Sequence, residues 1–226
     1  MSNDRAHLAL MLDAPLMSWG HWSRFTRRGT ALFPTRSAIT GMICAALGVP
    51  KGSAGEADWL TRLDAVRLTV LTHPRLRDRG NRPLPILRLE DFHTVRETRS
   101  ADGKPKKDAV ITHRQYLLDA RFVAILSGPA ETLRAVRDAM RDPRWGVWFG
   151  RKACIPAAPI AGDLADTPDA ALEALRLPGR RVTEFARVEE AASFAEGTDT
   201  LMDSPLNFET RAFKPRRIAR RAPGES

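Results

Sequence analysis

The stretch from Phe33 to Gly48 constrains the fold of this chain more than any other, because it predicts a helix without a charged residue between Ser37 and Gly48. Ser37, or Thr35 just before it, is placed to accept hydrogen bonds from the first free backbone N–H groups. Gly48 stands where a left-handed residue commonly ends a helix. A helix without charges needs an apolar environment, so we expect a sizeable core around it.

The beginning of this predicted helix has the composition of an anion site. Arg36 lies between Thr35 and Ser37, at the positive end of the helix dipole. Free backbone N–H groups, hydroxyls and a guanidinium together suit a phosphate. We therefore expect these three residues to contact an anion.

The charge balance points to a polyanionic partner. Among 226 residues, 36 are basic and 27 acidic, which gives a net charge of +9. The alternative is a basic surface that only maintains solubility. Neither an apolar leader nor a run of membrane-spanning length is present, so secretion and a membrane location are not expected. Cys44 and Cys154 form neither a disulfide framework nor a metal-ligand spacing, which favours a reducing cytoplasm and no metal.

Hydrophobic periodicity predicts an α+β fold of the ferredoxin-like type, in the order strand, helix, strand, strand, helix, strand. The strands are expected at 7–13, 65–73, within 116–127 and at 144–152, and the helices at 37–47 and 128–140. Beyond residue 160 the pattern predicts a helix after Thr167, short strands at 182–188 and 207–218, and a mobile basic tail. The chain is therefore divided into a domain over 1–160 and a C-terminal extension over 161–226.

The segment from 74 to 115 is too basic to form ordinary core. Its cations are Arg75, Arg77, Arg79, Arg82, Arg88, Arg96, Arg99, Lys104, Lys106, Lys107 and Arg114. We interpret it as an inserted hairpin whose tip is Asp102-Gly103, since glycine adopts the left-handed conformation that a tight turn needs. A solvated, disordered loop has the same composition.

The stretch 16–32 interleaves aromatic and basic residues, the mixture that offers stacking faces and phosphate contacts to single-stranded nucleic acid. It holds Trp19, Trp22, Arg24, Arg27 and Arg28. The stretch 144–152 is predicted as a short aromatic strand that leads to a basic turn, so Arg151 and Lys152 are expected at the end of a sheet. A core position is the alternative for Trp19.

Motifs for catalysis are scarce. His7, His21, His73, His93 and His113 share no metal-ligand spacing, and neither a phosphate-binding P-loop nor a hydrolase nucleophile elbow is present. Glu90 and Asp91 beside His93 suit acid–base work or simple ion pairs. A metal-independent ribonuclease needs only groups such as His93, His113 and Tyr116, so that activity stays open.

Five segments resemble the CasD family of CRISPR-associated RAMP proteins, the subtype I-E subunit of the Cascade complex. They are 14–20 (APLMSWG), 33–37 (FPTRS) with the helix that follows, 91–95 (DFHTV), 114–120 (RQYLLDA) and 150–156 (GRKACIP). They occur in the family's order and cover most of residues 7–160.

The resemblance implies an RRM-like RAMP domain with a β-hairpin thumb, which agrees with the basic insertion. It implies a non-catalytic subunit without cofactor that grips the 5′ handle of CRISPR RNA (crRNA) and touches the CasC backbone and the large subunit CasA. Target DNA is met only through the assembled complex. The alternative is an endoribonuclease that processes CRISPR precursor RNA, as the related subtype I-C protein does.

The residues and the resemblance together give a set of expected RNA contacts. Phosphate contacts are expected from Arg27, Arg28, Thr35, Arg36, Ser37, Arg151 and Lys152, and a further RNA contact is expected from Arg114 at the base of the hairpin. Stacking or base-edge contacts are expected from Trp19, His93 and Tyr116. Trp19 and Tyr116 are equally compatible with the core.

Overall fold

The computed structural model describes residues 5–20, 22–24, 26–76, 82–100, 102–105 and 108–225. Its strands are β1 (Arg5–Asp13), β2 (Leu16–Met17), β3 (Ser23–Arg24), β4 (Arg27–Arg28), β5 (Arg67–Thr72), β6 (Leu87–Val95), β7 (Val110–Leu118), β8 (Arg121–Pro129), β9 (Ala161–Ala165), β10 (Arg187–Glu190), β11 (Asp199–Asn207) and β12 (Ala212–Arg221). Its helices are α1 (Arg36–Leu47), α2 (Ala54–Asp64), α3 (Ala130–Arg141) and α4 (Pro168–Glu173), with a 3₁₀ turn at Val182–Glu184.

The larger sheet has seven strands in the order β11-β12-β10-β5-β8-β1-β9, and all its pairings are antiparallel. The apolar run predicted as the first strand is β1. Leu8, Ala9, Leu10 and Leu12 are all fully buried, so both faces of β1 are covered. This confirms the prediction of a central strand.

Helix α1 forms where its sequence predicts. The Thr35 hydroxyl, rather than that of Ser37, caps it by accepting from the backbone N–H of Ala38 at 3.3 Å. Gly48 ends it in the left-handed conformation, with φ of 69°. Ile39 and Ile43 are buried in the main core. The helices predicted at 128–140 and after Thr167 are likewise present as α3 and α4.

The strand predicted at 144–152 is wrong, because this segment is a loop in the structure. Its alternation of exposed Trp145 and Trp148 with buried Val147 and Phe149 imitates a strand. Gly150 has a φ of 98°, which turns the chain instead of extending it. The place beside β1 is taken by β9.

The strand predicted at 207–218 is present with shifted bounds as β12, but the mobility predicted for the basic tail is wrong, because this strand places the tail between β11 and β10. Its cations pair with four acids from α2, β10 and β11: Lys214 with Asp64 at 2.7 Å, Arg216 with Asp203 at 2.6 Å and Glu190 at 3.2 Å, and Arg220 with Asp199 at 3.0 Å. The high density of basic residues predicted a mobile tail, but carboxylates from other elements neutralise the charge of these cations and so allow the strand to form. Residues after 160 thus supply four strands of the same sheet as β1.

The smaller sheet joins β2, β7, β4 and β3, with β6 paired to the other side of β7. Strands β6 and β7 form an antiparallel hairpin from Leu87 opposite Leu118 to Val95 opposite Val110. Beyond this stem, Gly103 has a φ of 82° in a turn after Asp102. Arg77, Arg79, Lys106 and Lys107 of the predicted insertion lie outside the described residues. No helix in the described ranges is long and apolar enough to cross a membrane.

Candidate nucleic-acid interface

Three adjoining cavities, of about 630, 650 and 300 Å³, share Gly20. We call them together the central groove. The loop after β2, the first turn of α1, the 145–152 loop and the end of the β11–β12 hairpin surround it. Predicted site residues that line it are Arg28, Thr35, Ser37, Arg151 and Lys152.

Gly150 lies where the 145–152 loop contacts the loop after β2, two of the segments that surround the groove. The backbone N–H of Ser18 donates to the Phe149 carbonyl at 3.0 Å. A Cβ atom on Gly150 would lie 1.7 Å from the Ser18 carbonyl oxygen. Because of this approach and its positive φ, Gly150 can be only glycine here.

Arg151 lines the groove and contacts residues of the neighbouring strands β7 and β4. Its guanidinium lies 4.6 Å from the centre of the Tyr116 ring and donates to the carbonyls of Gln115 at 2.9 Å and Arg28 at 3.0 Å. Tyr116 beneath it is only 6% exposed. The expected stacking of RNA on Tyr116 is therefore corrected, because Arg151 already covers that ring.

Arg36 has a different role from the one expected. It is 7% exposed, its guanidinium pairs with Glu190, and its Nη2 donates to the Leu63 carbonyl at 2.6 Å. Its backbone N–H donates to the Asp203 carboxylate at 2.9 Å. The anion at the start of α1 is therefore an internal carboxylate, and a phosphate contact by Arg36 is not available without breaking this network.

The two hydroxyls beside Arg36 differ in their access to the groove. Thr35 is 2% exposed and its oxygen caps α1, so it offers little to a ligand. Ser37 is half-buried and borders both larger cavities, with its Oγ 3.2 Å from that of Thr35. Of the predicted triplet, Ser37 remains the phosphate ligand that the geometry allows.

Trp19 is a core residue rather than a stacking platform. It is fully buried, with its ring 6.5 Å from Phe122 and 5.8 Å from Phe149 between centroids. Trp22, which is 45% exposed, lines the groove instead. Its ring lies across Gly29, whose absent Cβ would meet it at 2.4 Å.

The remaining predicted cations lie on both sides of the groove. Arg28 borders the smallest cavity, and its Nη1 donates to the Ser23 hydroxyl at 3.2 Å. Arg27 and Arg28 are exposed on β4, which pairs in parallel with β7, so Arg28 stands beside Arg114. Arg114 is half-buried and its Nε donates to the Thr112 hydroxyl at 3.1 Å. Lys152 is exposed at the other side.

The three groups considered for ribonuclease chemistry do not converge. His93 is directly opposite Thr112, so the neighbouring His113 points to the other face of the hairpin. Each histidine has its own acid: His93 lies 3.8 Å from Asp91 and His113 lies 3.2 Å from Glu90. His93 does not line the groove cavities.

Metal-ligand clusters and cysteine thiols are two other kinds of reactive group to consider in the described residues. No cluster of possible metal ligands occurs among them. Cys44 borders the 630 Å³ cavity, but burial and, to a lesser degree, Glu56 raise the pKa of its thiol to about 11. A thiol of that pKa is a poor nucleophile near neutral pH.

Comparison with known proteins shows the family of this chain and agrees with its fold. The family described as "CRISPR-associated protein (Cas_Cas5)" matches residues 7–220. The chain belongs to the CRISPR-associated Cas5 family. The resemblance to CasD proteins is confirmed, because this Cas5 chain is 30% identical over 160 residues to "CRISPR system Cascade subunit CasD" of Escherichia coli (strain K12), covering 69% of this chain and 70% of that protein.

Two solved structures share the Cas5 architecture. One is a chain of "CRISPR RNA-guided surveillance complex", with a TM-score of 0.73 and 29% identity over 95% of this chain and 90% of that one. The other, "Crystal structure of Cas protein", has a TM-score of 0.65 and 26% identity over 96% and 94% of the two chains. The mixed fold with antiparallel sheets therefore extends over nearly the whole Cas5 chain.

Three groove features escaped the sequence interpretation. Trp22 was recognised as an aromatic in a basic loop but not as a site residue. The sequence feature that could have indicated its position is Gly29, against which its ring packs. Trp145 and Trp148 were assigned to a strand, although the glycines that flank Trp148 already signal a loop. The Cas5 groove is thus more aromatic than expected.

Proposed function

We propose that this chain is the non-catalytic crRNA-binding subunit of a type I-E Cascade complex and grips the 5′ handle of the crRNA in the central groove. The observation that carries the proposal is the convergence of Arg28, Ser37, Lys152 and Trp22 on one groove. Single-stranded RNA bent into a hook presents phosphates and unstacked bases, which cations, hydroxyls and aromatic faces bind.

The proposal includes a finer description of the fold. The ferredoxin-like RAMP core is taken to consist of six elements in the order strand, helix, strand, strand, helix, strand. In chain order these are β1, α1, β5, β8, α3 and β9. The hairpin β6–β7 is taken as the thumb that lies across the guide. Arg27 and Arg114 on adjacent β4 and β7 then extend the RNA path from the groove onto the stem.

The partners follow from the same proposal. In the cytoplasm the subunit would adjoin the CasC backbone and the large subunit CasA, and would meet target DNA only through the complex. The E. coli relative named as a Cascade subunit supports this assignment. His93, which lies outside the groove cavities, is kept as an RNA contact of the thumb.

The absence of catalysis is supported by the hairpin geometry. A general base and a general acid for RNA cleavage must both reach the scissile nucleotide. His93 and His113 project from opposite faces of the β6–β7 hairpin, and the Tyr116 ring is covered. The endoribonuclease alternative is therefore not favoured.

The experiment is a filter-binding titration of labelled repeat RNA in EDTA, repeated across salt concentrations. Lys152→Ala and Arg28→Ala should each weaken binding and reduce the slope of log affinity against log salt by about 0.7, the value for one phosphate contact on a single strand. Arg134→Ala is the matched control, because Arg134 is an exposed arginine on α3 that lines none of the three cavities.

A denaturing gel of the same samples tests the non-catalytic part. Intact RNA is expected at every protein concentration. Site-specific cleavage in EDTA that is lost in His113→Ala would contradict the proposal in favour of the processing nuclease. Equal salt slopes for Lys152→Ala, Arg28→Ala and Arg134→Ala would contradict the central groove as the RNA site.

A further inference from the structure

The 630 Å³ cavity of the central groove contains an aromatic wall that the proposed phosphate contacts do not use. The wall is formed by Trp145 and Trp148, which are 43% and 37% exposed. Ala38, Met42 and Ala45 of α1 form the opposite side, and Phe208 and Phe213 contribute from the β11–β12 hairpin. Its volume of about 630 Å³ leaves room for a planar ring with its sugar.

The loop that carries these tryptophans is held in place before any ligand arrives. The backbone N–H of Arg144 donates to the Ala46 carbonyl at 2.8 Å, and that of Phe149 donates to the Cys154 carbonyl at 2.9 Å. A Cβ atom on Gly146 would lie 2.8 Å from the Trp148 ring, so the ring packs directly against this glycine. A preformed aromatic face binds a ligand with little loss of side-chain entropy.

The solvent-accessible charged groups on the lining of this cavity include two lysines. Lys51 and Lys152 are exposed on its lining and have no ion-pair partner within the described ranges. The Lys152 ammonium lies 5.9 Å from the centre of the Trp148 ring. Glu56 also borders the cavity, but it is 2% exposed and accepts from the backbone N–H groups of Gly52 at 2.8 Å and Phe208 at 3.3 Å.

The remaining acid near this wall lies at its outer end. Glu209 is exposed and approaches Gly52, whose absent Cβ would meet its carboxylate at 2.0 Å. It is not among the residues that line the cavity. An anionic ligand therefore meets two free ammonium groups at the lining and a carboxylate only beyond it.

We propose that this cavity receives one unstacked base of the bound RNA, stacked against Trp148, while Lys51 and Lys152 contact the phosphates on either side of that nucleotide. The inference rests on the proposed function and adds a base pocket to the phosphate-binding groove. It is favoured because the cavity is continuous with the rest of the groove through Gly20 and Gly150 and joins an aromatic face to unpaired cations.

The first test compares Trp148→Ala, Trp148→Phe and Phe194→Ala in the RNA titration. Loss of a base–aromatic stack lowers affinity by about tenfold, so Trp148→Ala should show that loss with an unchanged salt slope. Trp148→Phe should restore most of the affinity. Phe194 is the control because it is a 78% exposed aromatic that lines none of the groove cavities.

The second test locates the base directly. Repeat RNAs that carry a single 4-thiouridine at successive handle positions are cross-linked to the full chain, and the adducts are mapped by mass spectrometry. One position should give an adduct within 145–152. Thermal unfolding followed by circular dichroism identifies any variant that has lost its fold, in which case the cross-link on the natural chain decides.

The outcomes separate the two proposals. If RNA binds with the expected salt dependence but cross-links only to 18–29, the base pocket is wrong and the proposed function stands. If Trp148→Ala binds RNA normally but no longer enters the assembled complex, the cavity is a protein-docking site and the inference is wrong. If the natural chain binds no RNA, both are wrong.

Discussion

At the scale of residues, several positions are determined by partners far along the chain. Arg36 and Asp203 are 167 residues apart, yet the backbone of one is bonded to the carboxylate of the other. The sequence pattern predicted a positive helix start that contacts a phosphate, but the anion found there is the Asp203 carboxylate. It did not reveal that the anion belongs to the protein, because nothing local to Arg36 indicates Asp203.

Arg36→Ala should therefore affect stability more than RNA binding. The change leaves the Glu190 carboxylate, whose side chain is 14% exposed, with Arg216 as its remaining ion-pair partner and the Leu68 backbone N–H as a hydrogen-bond donor. Removing one member of a buried pair costs about 3 kcal/mol. Urea unfolding should show this loss, with an unchanged salt slope for RNA binding in the folded fraction. The control is Arg62→Ala in the exposed pair with Asp58, which should cost under about 1 kcal/mol.

Gly150→Ala should lower the free energy of unfolding by about 3 kcal/mol, because it adds a Cβ against the Ser18 carbonyl at a positive φ. Gly20→Ala is the matched control on the same groove, since a Cβ added there would meet no atom of the described residues within 4 Å. Chemical unfolding of both variants measures the difference. Equal stabilities would show that the 18–20 and 149–151 segments are not held together as described.

At the scale of elements, periodicity predicted those that bury one continuous surface. Strand β1 and helices α1 and α3 have clear apolar patterns and appear where expected. The failures at 144–152 and in the basic tail have one cause. In both segments, contacts with other elements rather than the local sequence pattern determine the structure. Gly150 packs against the Ser18 carbonyl, and the cations of β12 form ion pairs with Asp64, Asp203 and Glu190.

The end of β5 carries a pH-dependent contribution to stability. Burial, and secondarily Arg121, lowers the pKa of His73 from 6.5 to about 4. Its Nδ1 accepts from Arg121 at 3.1 Å, which requires the neutral ring. Since the folded protein binds this proton more weakly than the unfolded chain, the contribution is full above about pH 6.5 and is lost as the pH falls towards 4.

His73→Gln should reduce this pH dependence. Between pH 7 and 4.5 the natural chain should lose about 2 kcal/mol more than the variant does. Chemical unfolding at several pH values measures both. His113→Gln is the control, because His113 is partly exposed on the hairpin. A pH profile of His73→Gln that matches the natural one would show that His73 titrates normally.

At the scale of the whole molecule, the larger sheet unites the beginning and the end of the chain. The division into 1–160 and 161–226 followed the predicted ferredoxin-like order of elements and the extent of the family resemblance, both of which end near residue 160. The sheet does not follow it: β9 pairs with β1, and β10 pairs with β5. We therefore expect residues 1–160 to depend on the remainder of the chain for their fold.

A chain that ends at residue 160 should show no cooperative thermal transition by circular dichroism, because β1 and β5 each lose one of their two neighbouring strands. A chain that ends at residue 221 should retain the transition, since it keeps every strand of the sheet. A cooperative transition in the shorter chain would support a domain boundary at residue 160. Size-exclusion chromatography of both chains distinguishes a folded monomer from aggregates.

The pairing of β1 with β8 also governs how the protein is made. His7 and Ser127 hydrogen-bond at 2.7 Å although 120 residues separate them. At ribosomal rates of about 5 to 20 residues per second, the apolar N-terminal strand waits roughly 6 to 24 s before its partner is synthesised. Chaperone capture of the nascent chain is therefore expected to concentrate on the first strand and to end once β8 has emerged.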